Sequence, residues 1–293
     1  MNSSDALSPQ AVRKIDCHCH LFDPARFPYR PDTRYAPQGQ ETGTAEQWAA
    51  VMDAHGVRHA LLVGPTSGYA TDNRCMLDAL ERYPVRFRGV AVVEPDIDRA
   101  ALGALQRAGV VGIAFNPAAD GLDAMRDVEP LFDRLAELDM FAQIQTDADQ
   151  LCALIPLIER TRTRVLIDHG GRPDAARGLD QPGFAALLRL ADTGRTIVKL
   201  SGMQKFSAQG FPFADAMPYV RALLERFGAE HCVWASDWPF LRAPHRMDYG
   251  PLIDWFARCV PQHDVRARIW WDTPMRLFKF AEDGKSAASS VAS

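Results

Sequence analysis

Ile15-Asp16-Cys17-His18-Cys19-His20 is the stretch whose reading decides the fold. It is short, opens on a β-branched apolar residue and runs into a long segment rich in Pro and Arg, so it reads as a buried strand entering a loop. Alternate residues of a strand face opposite ways. His18 and His20 therefore share one face, about 7 Å apart along the backbone. Two imidazoles are costly to bury without a purpose. With both histidines turned inward, Cys17 and Cys19 are expected to turn outward toward helices, as buried thiols and not as metal ligands.

Similar short apolar runs recur along the chain at 60–64, 89–94, 110–116, 141–146, 165–169, 196–201 and 232–237. Each suits a strand buried on both faces. Amphipathic helical patterns fill the gaps, at 44–55, 72–82, 98–107, 122–138, 148–160, 183–191, 214–227, 249–259 and 264–280. Several are followed by Gly, as at Gly109, Gly194 and Gly228. Eight strand–helix alternations fit an α/β fold of the (β/α)8 TIM-barrel type, as a single domain over 13–280, better than a doubly wound open sheet. Residues 1–12 are expected to be a flexible tail and 281–293 a disordered one. The segment 22–43 is expected to be an ordered lid over the barrel mouth, on the strength of Phe22, Phe27, Tyr29 and Tyr35.

Composition narrows the function. The 293 residues are 47% hydrophobic and 24% charged, with a formal net charge of -4 and no long charge runs. That is ordinary for a globular protein. No basic stripe for nucleic acid is visible, and no apolar stretch is long enough to cross a membrane. The first dozen residues lack a signal-peptide layout, so a cytoplasmic location is expected. Six scattered cysteines read as free thiols. Homo-oligomer formation is left open.

In a barrel of this kind, polar residues at the C-terminal ends of strands form the active site. Strand 1 ends in His18 and His20, strand 6 in Asp168-His169-Gly170-Gly171-Arg172, strand 8 in Ser236-Asp237-Trp238-Pro239. Strand 7 carries Lys199 and Ser201, and strands 4 and 5 end in Asn116 and in Gln143 or Gln145. Gly170 and Gly171 are expected to let the backbone approach a ligand. Three histidines and Asp237 can form a site for a borderline divalent cation. The same groups can also work without one, the carboxylate as base for water and the imidazoles polarising a carbonyl. Lys199 reads equally as catalytic or as an internal ion pair. The histidines at 55, 59, 231, 245 and 263 read as surface or packing residues.

These motifs, together with Thr71-Asp72-Asn73, the strand at 88–93 and the aromatic loop around Tyr29 and Tyr35, resemble the amidohydrolase superfamily. The likeness is closest to its branch of 2-pyrone-4,6-dicarboxylate lactonases and sugar-lactone hydrolases, and it covers residues 15 to about 280. The resemblance implies hydrolysis of a cyclic ester. Asp237 would activate water, and His18, His20 and His169 would surround the lactone carbonyl. No metal is required in that lactonase. One zinc on His18, His20, His169 and Asp237 is the alternative, since other members bind metals. Arginines that grip the dicarboxylate in that branch correspond to Ala114 and Asp120 here, and at best to Lys205 after strand 7. A histidine after the strand-8 Trp-Pro corresponds to Phe240. Lysine does not replace a bidentate arginine clamp, so a less anionic lactone is expected as the small-molecule partner. Tyr35, Thr66, Ser67, Asn116, Gln145, Arg172, Lys199 and Lys205 are the expected substrate-binding residues, with Arg30, Arg34 and Arg242 as further cations. Two rival expectations are a zinc-dependent decarboxylase or other mononuclear metal hydrolase, and a non-catalytic binding barrel.

Overall fold

The computed structural model describes residues 8–281. Its eight strands are β1 (Lys14–Cys19), β2 (Val57–Val63), β3 (Phe87–Ala91), β4 (Val110–Phe115), β5 (Phe141–Ile144), β6 (Arg164–Ile167), β7 (Thr196–Leu200) and β8 (Cys232–Trp234). They pair in parallel in sequence order. The ring is drawn shut between its first and last strands by a parallel bridge from Cys19 to Trp238. This is the expected (β/α)8 barrel.

The helices that cover it are α1 (Ala45–Ala54), α2 (Arg74–Arg82), α3 (Arg99–Arg107), α4 (Pro117–Asp120), α5 (Glu129–Glu137) and α6 (Leu151–Arg160). The second half contributes α7 (Pro182–Arg189), α8 (Met203–Phe206), α9 (Met217–Phe227), α10 (Tyr249–Cys259), α11 (His263–Ala267) and α12 (Thr273–Phe278). Local chemistry sets their ends. Thr44 and Gln47 close a reciprocal capping box on α1. The helix expected over 122–138 is instead a 3-10 turn and then α5, separated by Asp127 at φ +58°. Pro130 is the reason, because proline fits only the first turn of a helix. The helix expected over 264–280 is likewise divided, by a π turn at Arg268–Asp272 ahead of Pro274.

Two apolar layers result. One lies between strands and helices and includes Trp48, Met52, Phe132, Trp234 and Phe256. The other fills the barrel with Ile15, Cys17, Leu61, Val90, Leu166, Ile197 and Val233, and continues into Trp271, Leu277, Phe278 and Phe280. The Phe278 ring lies 5.4 Å from that of Phe141, the first residue of β5, so the C-terminal segment plugs the end where strands begin.

Cys17 corrects the alternation argument. Cys19 faces the helices as expected, but Cys17 belongs to the barrel interior. The β1–β2 register shifts between Asp16 and Cys19, and this irregularity lets Cys17 and His18 both point inward. The tails expected at 1–12 and 281–293 lie mostly outside the described residues. Within the first, Gln10 donates to Gly250 O at 2.9 Å and meets His55 Nδ1 at 2.9 Å. Among the described residues no helix is long and apolar enough to cross a membrane.

Candidate active site

The seam that closes the barrel builds the site. Asp237 N donates to His18 O at 2.9 Å, and His20 N donates to Trp238 O at 2.8 Å. Asp16 reinforces the seam from behind. It accepts from the backbone N–H groups of Ser236 (3.0 Å) and His18 (3.2 Å) and from the Tyr249 hydroxyl (2.8 Å). Burial still pushes its carboxyl up to about 6. Asp237 itself sits in the left-handed region, at φ +65°.

Asp237 Oδ1 faces His20 Nε2 at 3.6 Å and the Nε2 atoms of His18 and His169 at 3.8 Å each. Its other oxygen accepts from Gln204 Nε2 at 2.9 Å and lies 3.5 Å from Lys205 Nζ. Burial alone would raise this carboxyl, but Lys205, His169 and His20 outweigh it and hold Asp237 well below the usual carboxylate range. Two of the imidazoles, His18 and His169, stay neutral. Burial, with Lys199 adding to it, holds His18 down at about 3, and burial holds His169 at about 4.

His169 begins an unusual turn. His169, Gly170, Gly171 and Arg172 all have positive φ, between +45° and +76°. A run of left-handed residues is strained where it is not glycine, and such strain is characteristic of functional sites. Neither glycine is in the cavity wall, and both pack against covering helices. A Cβ at Gly170 would meet Leu223 of α9 at 3.2 Å, and one at Gly171 would meet Leu187 of α7 at 2.9 Å. They allow the covering helices to close over the turn.

Beneath the histidines lies a buried charged layer. Lys199 Nζ reaches Gln143 Oε1 at 2.7 Å, Asp168 Oδ1 at 3.0 Å and His18 Nδ1 at 3.1 Å. Gln143 Nε2 donates to Asp168 Oδ2 at 2.8 Å. Burial opposes the Asp168 charge, but Lys199 and His18 hold the carboxyl below its ordinary range. Lys199 is thus a structural partner of Asp168, not a cavity wall, because three acceptors already occupy its three protons.

The cavity above is about 510 Å³. That is the size of a small-molecule site. Of the expected residues, His18, His20, His169, Asp237, Thr66, Ser67, Asn116, Gln145, Arg172 and Lys205 line it, and Arg242 does too. Tyr35 does not. It sits at the rim, hydrogen-bonded to Glu41, with the Arg242 guanidinium 4.0 Å from its ring centre. Arg30 is held by Asp32 (2.8 Å), and Arg34 is paired with Asp120 at 3.5 Å. No residue of 22–43 is in the cavity wall, so that loop packs beside the mouth and does not roof it. Sequence reasoning passed over Gln204. Only its place just after the end of β7 could have drawn notice.

The donor set suits a borderline cation. His18 Nε2 and His20 Nε2 are 3.2 Å apart. Ligands about 2.0–2.1 Å from a tetrahedral zinc are separated by roughly this much. The far nitrogens are engaged: His20 Nδ1 with Val63 O (2.8 Å), His169 Nδ1 with Ser201 Oγ (3.0 Å), His18 Nδ1 with Lys199 and with Asp168 at 3.3 Å. Such outer contacts orient metal-binding imidazoles. The same contacts also form a metal-free chain. His20 Nδ1 donates to Val63 O, its Nε2 then accepts a hydrogen bond from His18 Nε2, and His18 Nδ1 accepts one from Lys199. Among the described residues, His18, His169 and Asp237 form a group close enough together to hold a metal ion, and His20 is not part of it.

Barrel and site together define a hydrolase-type (β/α)8 protein with its chemistry at the strand C-terminal ends. The chain belongs to the amidohydrolase family, whose profile matches residues 15–280. It is 34% identical over 273 residues to a 4-sulfomuconolactone hydrolase of Rhizobium radiobacter, covering 90% of this chain and 89% of that one. It is 29% identical over 277 residues to a 2-pyrone-4,6-dicarboxylate hydrolase of Comamonas testosteroni, with the same coverage of 90% and 89%. A solved structure from Pseudomonas putida, described as a 2-pyrone-4,6-dicarboxylic acid hydrolase, superimposes with a TM-score of 0.79 at 31% identity, covering 92% of this chain and 98% of that one.

Proposed function

We propose that this chain hydrolyses a lactone at the cavity over Asp237. One observation carries the reading: a buried, ionised carboxylate whose Oδ1 faces three imidazoles within 3.8 Å. Asp237 takes a proton from water as the water oxygen bonds to the lactone carbonyl carbon. His169 and Lys205 steady the negative charge that develops on the carbonyl oxygen. The ring C–O bond then breaks, and the proton held by Asp237 passes to the departing ring oxygen. A zinc held by His18, His169 and Asp237, with His20 beside them, would supply Lewis acidity at the same place.

Arg172, Lys205 and Arg242 line the cavity, while Ala114 and Asp120 leave no arginine pair after β4. These features support a lactone bearing one negative charge. The chain's working compartment, on this reading, is the cytoplasm, where its six free cysteines would stay reduced.

The test is a proton-release assay on three lactones: muconolactone with one carboxylate, neutral D-glucono-1,5-lactone and 2-pyrone-4,6-dicarboxylate. Muconolactone should be hydrolysed fastest. Asp237→Asn should lower kcat by about 10²–10⁴-fold with the melting transition retained. Near-native turnover by that variant would reject the assignment. Metal analysis with and without chelator separates the zinc-dependent hydrolase or decarboxylase alternative.

A further inference from the structure

Most cations at the barrel mouth are already paired. Arg30 meets Asp32 at 2.8 Å, Arg34 meets Asp120 at 3.5 Å, Arg172 meets Asp147 at 3.7 Å and Lys205 meets Asp237 at 3.5 Å. Arg242 differs. It is exposed and belongs to the cavity wall. Among the described residues its guanidinium forms no ion pair, and it lies 4.0 Å from the centre of the Tyr35 ring. A ring face attracts a guanidinium without neutralising its charge. The loop that carries it is fixed on both sides. Glu41 Oε1 accepts from Arg242 N at 2.6 Å, and the other Glu41 oxygen accepts from the Tyr35 hydroxyl. Leu241 O accepts from Lys205 Nζ. Arg242 sits in the left-handed region at φ +51°, and such strain gathers at functional sites. Tyr35 O accepts from Gly68 N at 2.9 Å, next to Ser67 of the cavity wall. The Arg242 side chain thus runs from one stretch of wall, after β8, toward another, after β2.

Resting on the lactonase reading, we propose that Arg242 is the specificity-determining residue that grips the carboxylate of the substrate. A planar guanidinium takes a carboxylate in two parallel hydrogen bonds, a match that a lysine cannot make. Arg172 and Lys205 line the same cavity, but each already serves a protein carboxylate. The Tyr35 ring and the Glu41 bond hold the Arg242 fork before substrate arrives, which lowers the cost of ordering it on binding. In the ring of strands β8 stands opposite β4, and Ala114 and Asp120 give β4 no cation. The substrate's charge is therefore held over the β8 side of the mouth.

The experiment uses the full chain and two substrates, muconolactone and its amide, in which a neutral carboxamide replaces the carboxylate. Ring opening is followed by chromatography, and melting curves verify folding. The wild type should favour muconolactone by at least about tenfold in kcat/KM. Arg242→Gln should raise KM for muconolactone about 30-fold and KM for the amide less than about threefold, because a hydrogen-bonded charge pair is lost only with the first. Arg242→Lys, with the charge but not the fork, should fall between, and it carries the test if the glutamine variant unfolds. Arg172→Gln should keep the preference for the charged substrate. A preference that survives in Arg242→Gln, an equal loss on both substrates, or a preference abolished by Arg172→Gln instead would overturn the proposal. A wild type that opens neither these nor the other two lactones would overturn the lactonase reading, and this proposal with it. A wild type that opens lactones without regard to their charge would overturn this proposal and leave the lactonase reading standing.

Discussion

Lys199 is the residue whose chemistry is least visible from its neighbours in the chain. It is fully buried, and its partners are Gln143 on β5, His18 on β1 and Asp168 just past the end of β6. An ammonium in an interior survives only when its protons are accepted and its charge is paired. Replacing it with methionine leaves Asp168 buried with no ammonium beside it. Lys199→Met should therefore destabilise the fold by about 3–5 kcal/mol, measured by chemical denaturation. At this scale the sequence showed the residue types at strand ends. Lys199 read equally as catalytic or as an internal ion pair, because strand alternation gives a side chain's face but not its depth in the barrel. Tyr35 was misplaced for a similar reason: an aromatic in a loop carries no signal for which wall it joins.

At the scale of elements, turns position the chemistry. His169 stands at the start of a left-handed turn, and Gly202 at the β7 corner packs against it. Gly202 has φ +73°, and a Cβ there would lie 2.4 Å from His169 Cβ and 2.7 Å from its Nδ1. Gly202→Ala should displace the His169 ring and break its contact with Ser201. The expected outcome is a kcat at least about 10-fold lower together with a reduced melting temperature, read by steady-state kinetics and calorimetry. The β1 irregularity belongs to this scale too. Period-two reasoning placed His18 and His20 inward correctly and Cys17 outward incorrectly. Alternation assumes a regular ladder, and a register shift is decided by the neighbouring strand.

At the scale of the whole molecule, the barrel is closed at one end by chemistry and at the other by aromatic packing. Phe278 is wholly buried and caps the interior beside Phe141. Phe278→Ala should cost about 3–5 kcal/mol in chemical denaturation, with KM little changed, because the plug is at the end opposite the site. The alternation of eight apolar runs with helical patterns was legible in the chain, and so were the four residues that would meet at the mouth. Strand periodicity and turn chemistry are local properties, so the sequence by itself determined the barrel and the identity of His18, His20, His169 and Asp237. Distances between strands far apart in the chain are not local. Only closure of β1 against the end of β8 set Asp237 within 3.8 Å of three imidazoles, buried Lys199 beneath them and brought Gln204 to the carboxylate. Those contacts depend on register, bulge and helix packing acting together, and no stretch of the chain encodes them alone.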